Sequence, residues 1–137
     1  MAAPYCTIPQ IEAHTGLGYD AESQPSRTEV QRIIEGVARE IDGVLQASGY
    51  TLPITSPVDA VATLRDYNAL GGSYRAWYAS VQGTAVFPAV VSWREDYLLF
   101  LKNLKEGKTG LPGIDLPVED IDTQLTEVII RGVEFTS

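Results

Sequence analysis

Cys6 and His14 are the single cysteine and the single histidine of the chain, and they are the obvious place to look for nucleophilic chemistry. A thiol attacks only when a base takes its proton and a third group orients that base. Both residues lie on one N-terminal stretch, and no orienting partner stands at a recognisable spacing. No catalytic residue is expected from them. One cysteine also rules out an internal disulfide, and the pair falls short of the ligand set of a zinc site.

The carboxylates offer a second possibility. Glu119, Asp120 and Asp122 resemble a calcium cluster only in composition, because the loop spacing and the closing bidentate glutamate are missing. Solvated charge on an extended arm is the simpler reading. Gly16-Leu17-Gly18 is too short for a phosphate or dinucleotide loop, and no strand precedes it. Neither a metal nor a cofactor is expected.

The third group is aromatic: Tyr74, Trp77, Tyr78, Phe87, Trp93, Tyr97 and Phe100. Stacked bases use such platforms, but only together with a cationic groove. Arg75 and Arg94 alone are interleaved here, and the net charge of −8 opposes phosphate. At helical spacing these rings are instead core or a subunit interface, where Tyr and Trp are enriched.

What must position these residues is a set of helices. The 137-residue chain, 45% hydrophobic and 20% charged, is one domain's worth of globular protein. Its N-terminus lacks the basic and apolar regions of a signal peptide, and no apolar run approaches the length of a membrane span. Thr7 and Pro9 start a short helix, anchored by Ile8 and Ile11 and ended by Gly16. Residues 16–25 are a turn-rich loop. Ser26 and Glu29 form a capping box, hydroxyl first and carboxylate three later. Behind it Val30, Ile33, Ile34, Val37, Ile41, Val44 and Leu45 make one apolar stripe, with Glu29, Arg32, Glu35, Arg39, Glu40 and Asp42 on the other side.

Tyr50 to Ser56 reads as an extended connector, since residues before proline leave the helical region. Ser56 as cap and Pro57 at the first position open a third helix, with Val58, Val61, Ala62, Leu64 and Tyr67 on its face. Gly71-Gly72 is its weak point, because each glycine costs about 1 kcal/mol against alanine. Tyr74, Trp77, Tyr78 and Val81 resume the spacing at once, which favours one helix over 57–82 with the glycines admitting a close neighbour. A break there is the rival reading. Pro88 starts the last helix, striped by Val90, Trp93, Tyr97, Leu98, Leu101 and Leu104, with Leu99 and Phe100 widening the face towards a second partner. Lys102, Lys105 and Lys108 complement its C-terminal dipole, and Gly107 and Gly110 end it.

The fold class expected is therefore mainly α: a bundle of about four helices over residues 1–110, followed by an extended acidic arm over 111–137. The arm holds six acids against one base, a net of −5. Its first part is rich in proline and acid. Residues 126–135 are β-branched and aromatic, like a strand that needs a partner edge. Leu116, Val118, Ile121, Val128, Ile130, Val133 and Phe135 are the candidate partner-binding residues.

Several stretches resemble small head–tail connector (adaptor) proteins of long-tailed bacteriophages. These are Tyr5-Cys6-Thr7-Ile8 before a short helix, and Ile41-Asp42-Gly43 closing an amphipathic one. Gly49-Tyr50-Thr51-Leu52-Pro53, Ser56-Pro57 and the ending from Leu104 through Gly107 and Gly110 to Gly113 complete the pattern. The resemblance covers roughly residues 5–113, in element order more than in invariant motifs. It implies a non-enzymatic virion protein, made in the host bacterial cytoplasm and placed at the neck. There it forms a homo-oligomeric ring, usually twelve-fold, beneath the portal protein. The ring extends the DNA channel, lets the genome pass without specific binding, and presents a docking surface to a stopper or tail-completion protein. The chain departs from the pattern at Gly71-Gly72 and beyond Gly113. The alternative from another class is a small acidic cytoplasmic adaptor or inhibitor that works by protein–protein binding.

Overall fold

The structure, a computed structural model, describes residues 4–80 and 87–114. It contains four helices in chain order: α1 (Ile8–Thr15), α2 (Arg27–Ala47), α3 (Val58–Ala79) and α4 (Pro88–Lys105). The described residues contain no strand, so the architecture is a small helical bundle. The strand-like segment 126–135 lies outside the described residues.

Local chemistry sets the ends of these helices. At α1 the Gln10 side chain accepts the Thr7 backbone N–H at 2.8 Å, and Gly16 closes the helix at φ 73°, a left-handed value that glycine takes without a Cβ penalty. At α2 the box is complete: Glu29 N–H donates to the Ser26 hydroxyl at 3.2 Å, and Ser26 N–H donates to the Glu29 carboxylate at 2.8 Å. The start of α3 differs by one residue from the expectation. Pro57 itself is the cap, Ser56 makes no capping bond, and the helix begins at Val58. Val58, expected on the buried face, is 81% exposed. It stands about 120° around the helix from Leu64, given the roughly 100° step per residue.

α3 is continuous through Gly71-Gly72. It packs on all three other helices, and its buried residues are mostly small: Ala60, Ala69, Gly71, Gly72, Ser73 and Ala76. The two glycines sit where the neighbours come closest. A Cβ on Gly71 would lie 2.8 Å from Val37 of α2 and 2.9 Å from the Tyr97 ring of α4. A Cβ on Gly72 would lie 2.8 Å from the Ile11 terminal methyl of α1. The helical continuity that two glycines weaken is thus recovered by burial of Val37, Tyr97 and Ile11, none of which retains any solvent exposure.

The core divides along α3. One cluster joins the second half of α2 with Ala60 and Leu64 of α3 and with Tyr97, Phe100, Leu101 and Leu104 of α4. The other joins Cys6, Ile8 and Ile11 with Tyr19, Val30, Ile34, Ala69 and Ala76. On α4 the stripe is Val90, Tyr97, Phe100, Leu101 and Leu104. Leu98, expected within it, is 40% exposed, and Leu99 is 53% exposed. Four consecutive apolar residues cannot all face inwards at that angular step, and Leu98 and Leu99 fall on the outside.

Asp42, expected on the polar side of α2, is buried. Its carboxylate accepts the Tyr5 hydroxyl, while the Tyr5 backbone N–H donates to Asn68 Oδ1 at 2.9 Å. Asn68 is fully buried and donates in turn to the Ile34 carbonyl at 3.2 Å. One amide side chain therefore ties the N-terminal segment, α2 and α3 together, with each polar group answered.

Candidate interaction surfaces

Cys6 is buried, and desolvation pushes its thiol up to about 12. At neutral pH it holds its proton and packs as a small apolar group. His14 stands at the other end of α1, its ring edge-on to Trp93 at 5.6 Å. The structure therefore separates the two residues that might have formed a nucleophilic pair. No group of three His, Cys, Asp or Glu side chains is placed to hold a metal among the described residues. None of their helices is long and apolar enough to cross a membrane.

The aromatic residues divide by position. Tyr97 and Phe100 are core, with the Phe100 ring stacked on Tyr67 at 3.8 Å between centroids. Arg75 lies beside the Tyr74 and Tyr97 rings, its guanidinium carbon 5.5 and 5.8 Å from their centroids. Its Nη2 meets the Glu40 carboxylate at 2.8 Å, and the Tyr97 hydroxyl donates to the same carboxylate. Burial and this carboxylate hold the Tyr97 phenol far above its usual range. Arg75 is thus matched at the bundle surface by a carboxylate and two aromatic rings.

At the far end of α4, Trp77, Phe87, Val90 and Trp93 surround His14 and Thr15 in an apolar cleft of about 300 Å³. Phe87 and nearby Tyr78 keep nearly half of their surface exposed. Between α3 and α4 a second groove, about 330 Å³, has Tyr67, Phe100 and Leu99 in its wall and Asp66 and Asp96 at its sides. These edges, with Leu98, are where the described residues leave apolar surface exposed.

The third surface is the end of the bundle from which the arm leaves. Leu111 is buried, and its N–H donates to the Tyr50 hydroxyl at 3.0 Å. Gly113 takes φ 77°, and a Cβ there would lie 2.6 Å from Pro57 Cγ. Ile114 packs against the first core cluster. Packing thus continues beyond the expected limit of the body at residue 110, as far as Ile114. An open groove of about 820 Å³ lies beside it, floored by Tyr50, Leu104 and Ile114 and edged by Lys105 and Lys108.

Comparison with models of known families, with curated proteins and with solved structures found no match to this chain. The candidate partner-binding residues Leu116, Val118, Ile121, Val128, Ile130, Val133 and Phe135 all lie outside the described residues. Sequence reasoning missed Leu98, Asp66, Asp96 and the Tyr50–Lys105 groove. The run Leu98-Leu99-Phe100-Leu101 was the available signal, because at least one of its members has to face outwards. The groove had none, since it joins residues more than fifty positions apart.

Proposed function

We propose that this chain is a structural subunit of the phage neck, a head–tail connector (adaptor) protein that forms a ring beneath the portal. The observation that carries this reading is the continuous α3. The resemblance in element order runs over residues 5–113, and one of its two points of departure, beside the tail beyond Gly113, was a possible break at Gly71-Gly72. A four-helix body with an unbroken third helix agrees with the element order of that family.

Two further features support it. The body keeps Tyr78, Phe87, Leu98 and Leu99 exposed along its α3–α4 side, as side-by-side neighbours in a ring require. Its arm is tethered at Leu111 rather than loose from Gly107, which gives the apolar residues beyond it a fixed point of departure. In this reading Leu116, Val118, Ile121, Val128, Ile130, Val133 and Phe135 contact the portal or an adjoining subunit by strand pairing or apolar docking. A stopper or tail-completion protein binds the distal face. The chain's net charge of −8 lets DNA slide through the channel without specific contacts.

Electron microscopy of the protein mixed with purified portal tests the proposal. An added ring of matching diameter, twelve-fold like the connector rings of that family, is the expected result. A monomer that never associates with portal at high concentration would instead favour a small acidic inhibitor or adaptor. Deletion of residues 114–137 should leave the helical body folded and abolish portal attachment; normal DNA-retaining particles from that variant would refute the role given to the arm.

A further inference from the structure

α1 and α4 both pack on α3 but not along each other, touching at the His14 and Trp93 rings, so that a valley is left between them. Three hollows run along it. The groove of about 330 Å³ and a smaller one of about 220 Å³ share Asp66, and the smaller one shares His14 with the aromatic cleft of about 300 Å³. The α3 floor of this trough runs from Asp66 to Trp77, about 16 Å at the helical rise. Its ends differ in character. One holds the exposed carboxylates of Asp66 and Asp96 beside Tyr67 and Leu99, and the other is aromatic, with Trp77, Phe87 and Trp93. Neither aspartate has an ion-pair partner among the described residues.

The outer side of α4 carries the complementary pattern. Asp96 and Leu98 stand about 160° apart on the helix, given the roughly 100° step per residue, so a stripe centred on Leu98 faces away from Asp96. Arg94, Lys102 and Lys105 lie within about 40° of Leu98 on that stripe, and all four residues are exposed. The three cations have no ion-pair partner among the described residues, while Glu106 beyond them is paired with Lys108 at 3.0 Å. From Arg94 to Lys105 the stripe also spans about 16 Å, the length of the trough. Its lysines suit the acidic end, and an arginine suits the aromatic one, because guanidinium groups stack on such rings. Two such faces on different sides of one subunit meet only between copies, as a heterologous contact. We propose that the Arg94–Lys105 stripe of one copy docks in the Asp66–Trp77 trough of the next. Lys102 and Lys105 then face Asp66 and Asp96, Leu98 covers Ala69 and Leu70, and Arg94 reaches the aromatic end. The proposal rests on the ring reading and names the contact between neighbouring subunits, with charge setting its register.

Charge reversal in the full-length protein tests this, with assembly followed by sedimentation velocity in solution and by electron microscopy on purified portal. Asp66→Lys with Asp96→Lys, and separately Lys102→Glu with Lys105→Glu, should each weaken self-association about tenfold or more. All four positions are exposed, and circular dichroism checks that each variant is folded. Mixing the two variants should restore assembly with the copies alternating, because every trough then meets a stripe of opposite charge. Rising salt should weaken the native and the mixed assemblies alike. Variants that assemble as the native chain does, in solution or on portal, overturn the proposal and leave the ring reading standing. So does a mixture that stays dissociated while both variants are folded. A trough variant that still assembles with itself but no longer joins portal also overturns it, by giving the trough to the portal. A native chain that forms neither an oligomer in solution nor a ring on portal overturns the ring reading and this contact together.

Discussion

Gly71 and Gly72 are neighbours in sequence, yet replacing each by alanine should have different effects. Either change gains about 1 kcal/mol of helix propensity. At Gly71 the new Cβ meets Val37 Cγ1 at 2.8 Å and the Tyr97 ring at 2.9 and 3.0 Å. Val37 is β-branched and has one favoured rotamer in a helix, so it cannot turn aside. The Tyr97 ring is fully buried and held by its hydroxyl on Glu40. Overpacking against two such walls costs about 3 kcal/mol, the upper end of the usual range. The net effect of Gly71→Ala is then a loss of about 2 kcal/mol. At Gly72 the close contact is the Ile11 terminal methyl alone, and the next nearest atoms are at 3.7 and 3.8 Å. The end of that side chain can swing for about 1 kcal/mol, so Gly72→Ala should be nearly neutral. For a chain of this size 2 kcal/mol lowers Tm by about 6–8 °C. Thermal unfolding followed by circular dichroism, with urea titration as a second measure, should show that loss for the first variant and a shift within about 2 °C for the second. Val37→Ala combined with Gly71→Ala should be less destabilising than the two single changes summed, because the shared clash is gone. Equal losses at both glycines would refute the packing argument, as would a harmless Gly71→Ala.

Asn68→Ala removes the amide joining Tyr5 and Ile34 and should cost about 2–3 kcal/mol in urea unfolding, since it leaves a buried N–H unanswered and a void. Ser73 Oγ is buried without a hydrogen-bond partner, so Ser73→Ala should be neutral or stabilising by up to about 1 kcal/mol. Burial raises the Tyr5, Tyr19 and Tyr97 phenols and the Cys6 thiol above their ordinary values. Their folded-state values exceed the unfolded ones, so their contribution is complete below pH 9 and declines as pH rises, from the thiol's ordinary value of 9.0 and the phenols' 10.0 upwards. Urea midpoints measured from pH 7 to 11 should fall at the alkaline end, and Tyr97→Phe should make that fall shallower.

The parts of the fold legible in the sequence were those governed by local rules. The Ser26–Glu29 box, Pro88 and Gly16 state their roles within a few residues, and the α2 stripe repeats its period often enough to be unambiguous. The glycine pair could be read as a site of close approach, but not as the point where Val37, Tyr97 and Ile11 converge from three helices. Asp42 was misplaced for the same reason: the phenol that makes its burial tolerable lies 37 residues away. Tyr19, in a loop rich in turn formers, is buried by contacts with Thr15 and Arg27 that composition does not announce. Leu98 and Leu99 followed from an apolar run whose direction only the helix phase decides. The interaction surfaces were least legible, because the cleft around His14 and the groove beside Tyr50 each join residues from distant parts of the chain.

The central position of α3 has a consequence for synthesis. Ile11 seats against Gly72 and Tyr5 against Asn68, so the first helix made has its docking site some sixty residues downstream. While the chain is being translated from its N-terminus, α1 and α2 have their apolar faces open until α3 follows. Such contacts raise the average sequence separation of native neighbours and slow folding relative to a bundle in which each helix pairs with the next. The small residues that let three helices meet at one place thus also fix the moment, late in translation, when the N-terminal third can become native.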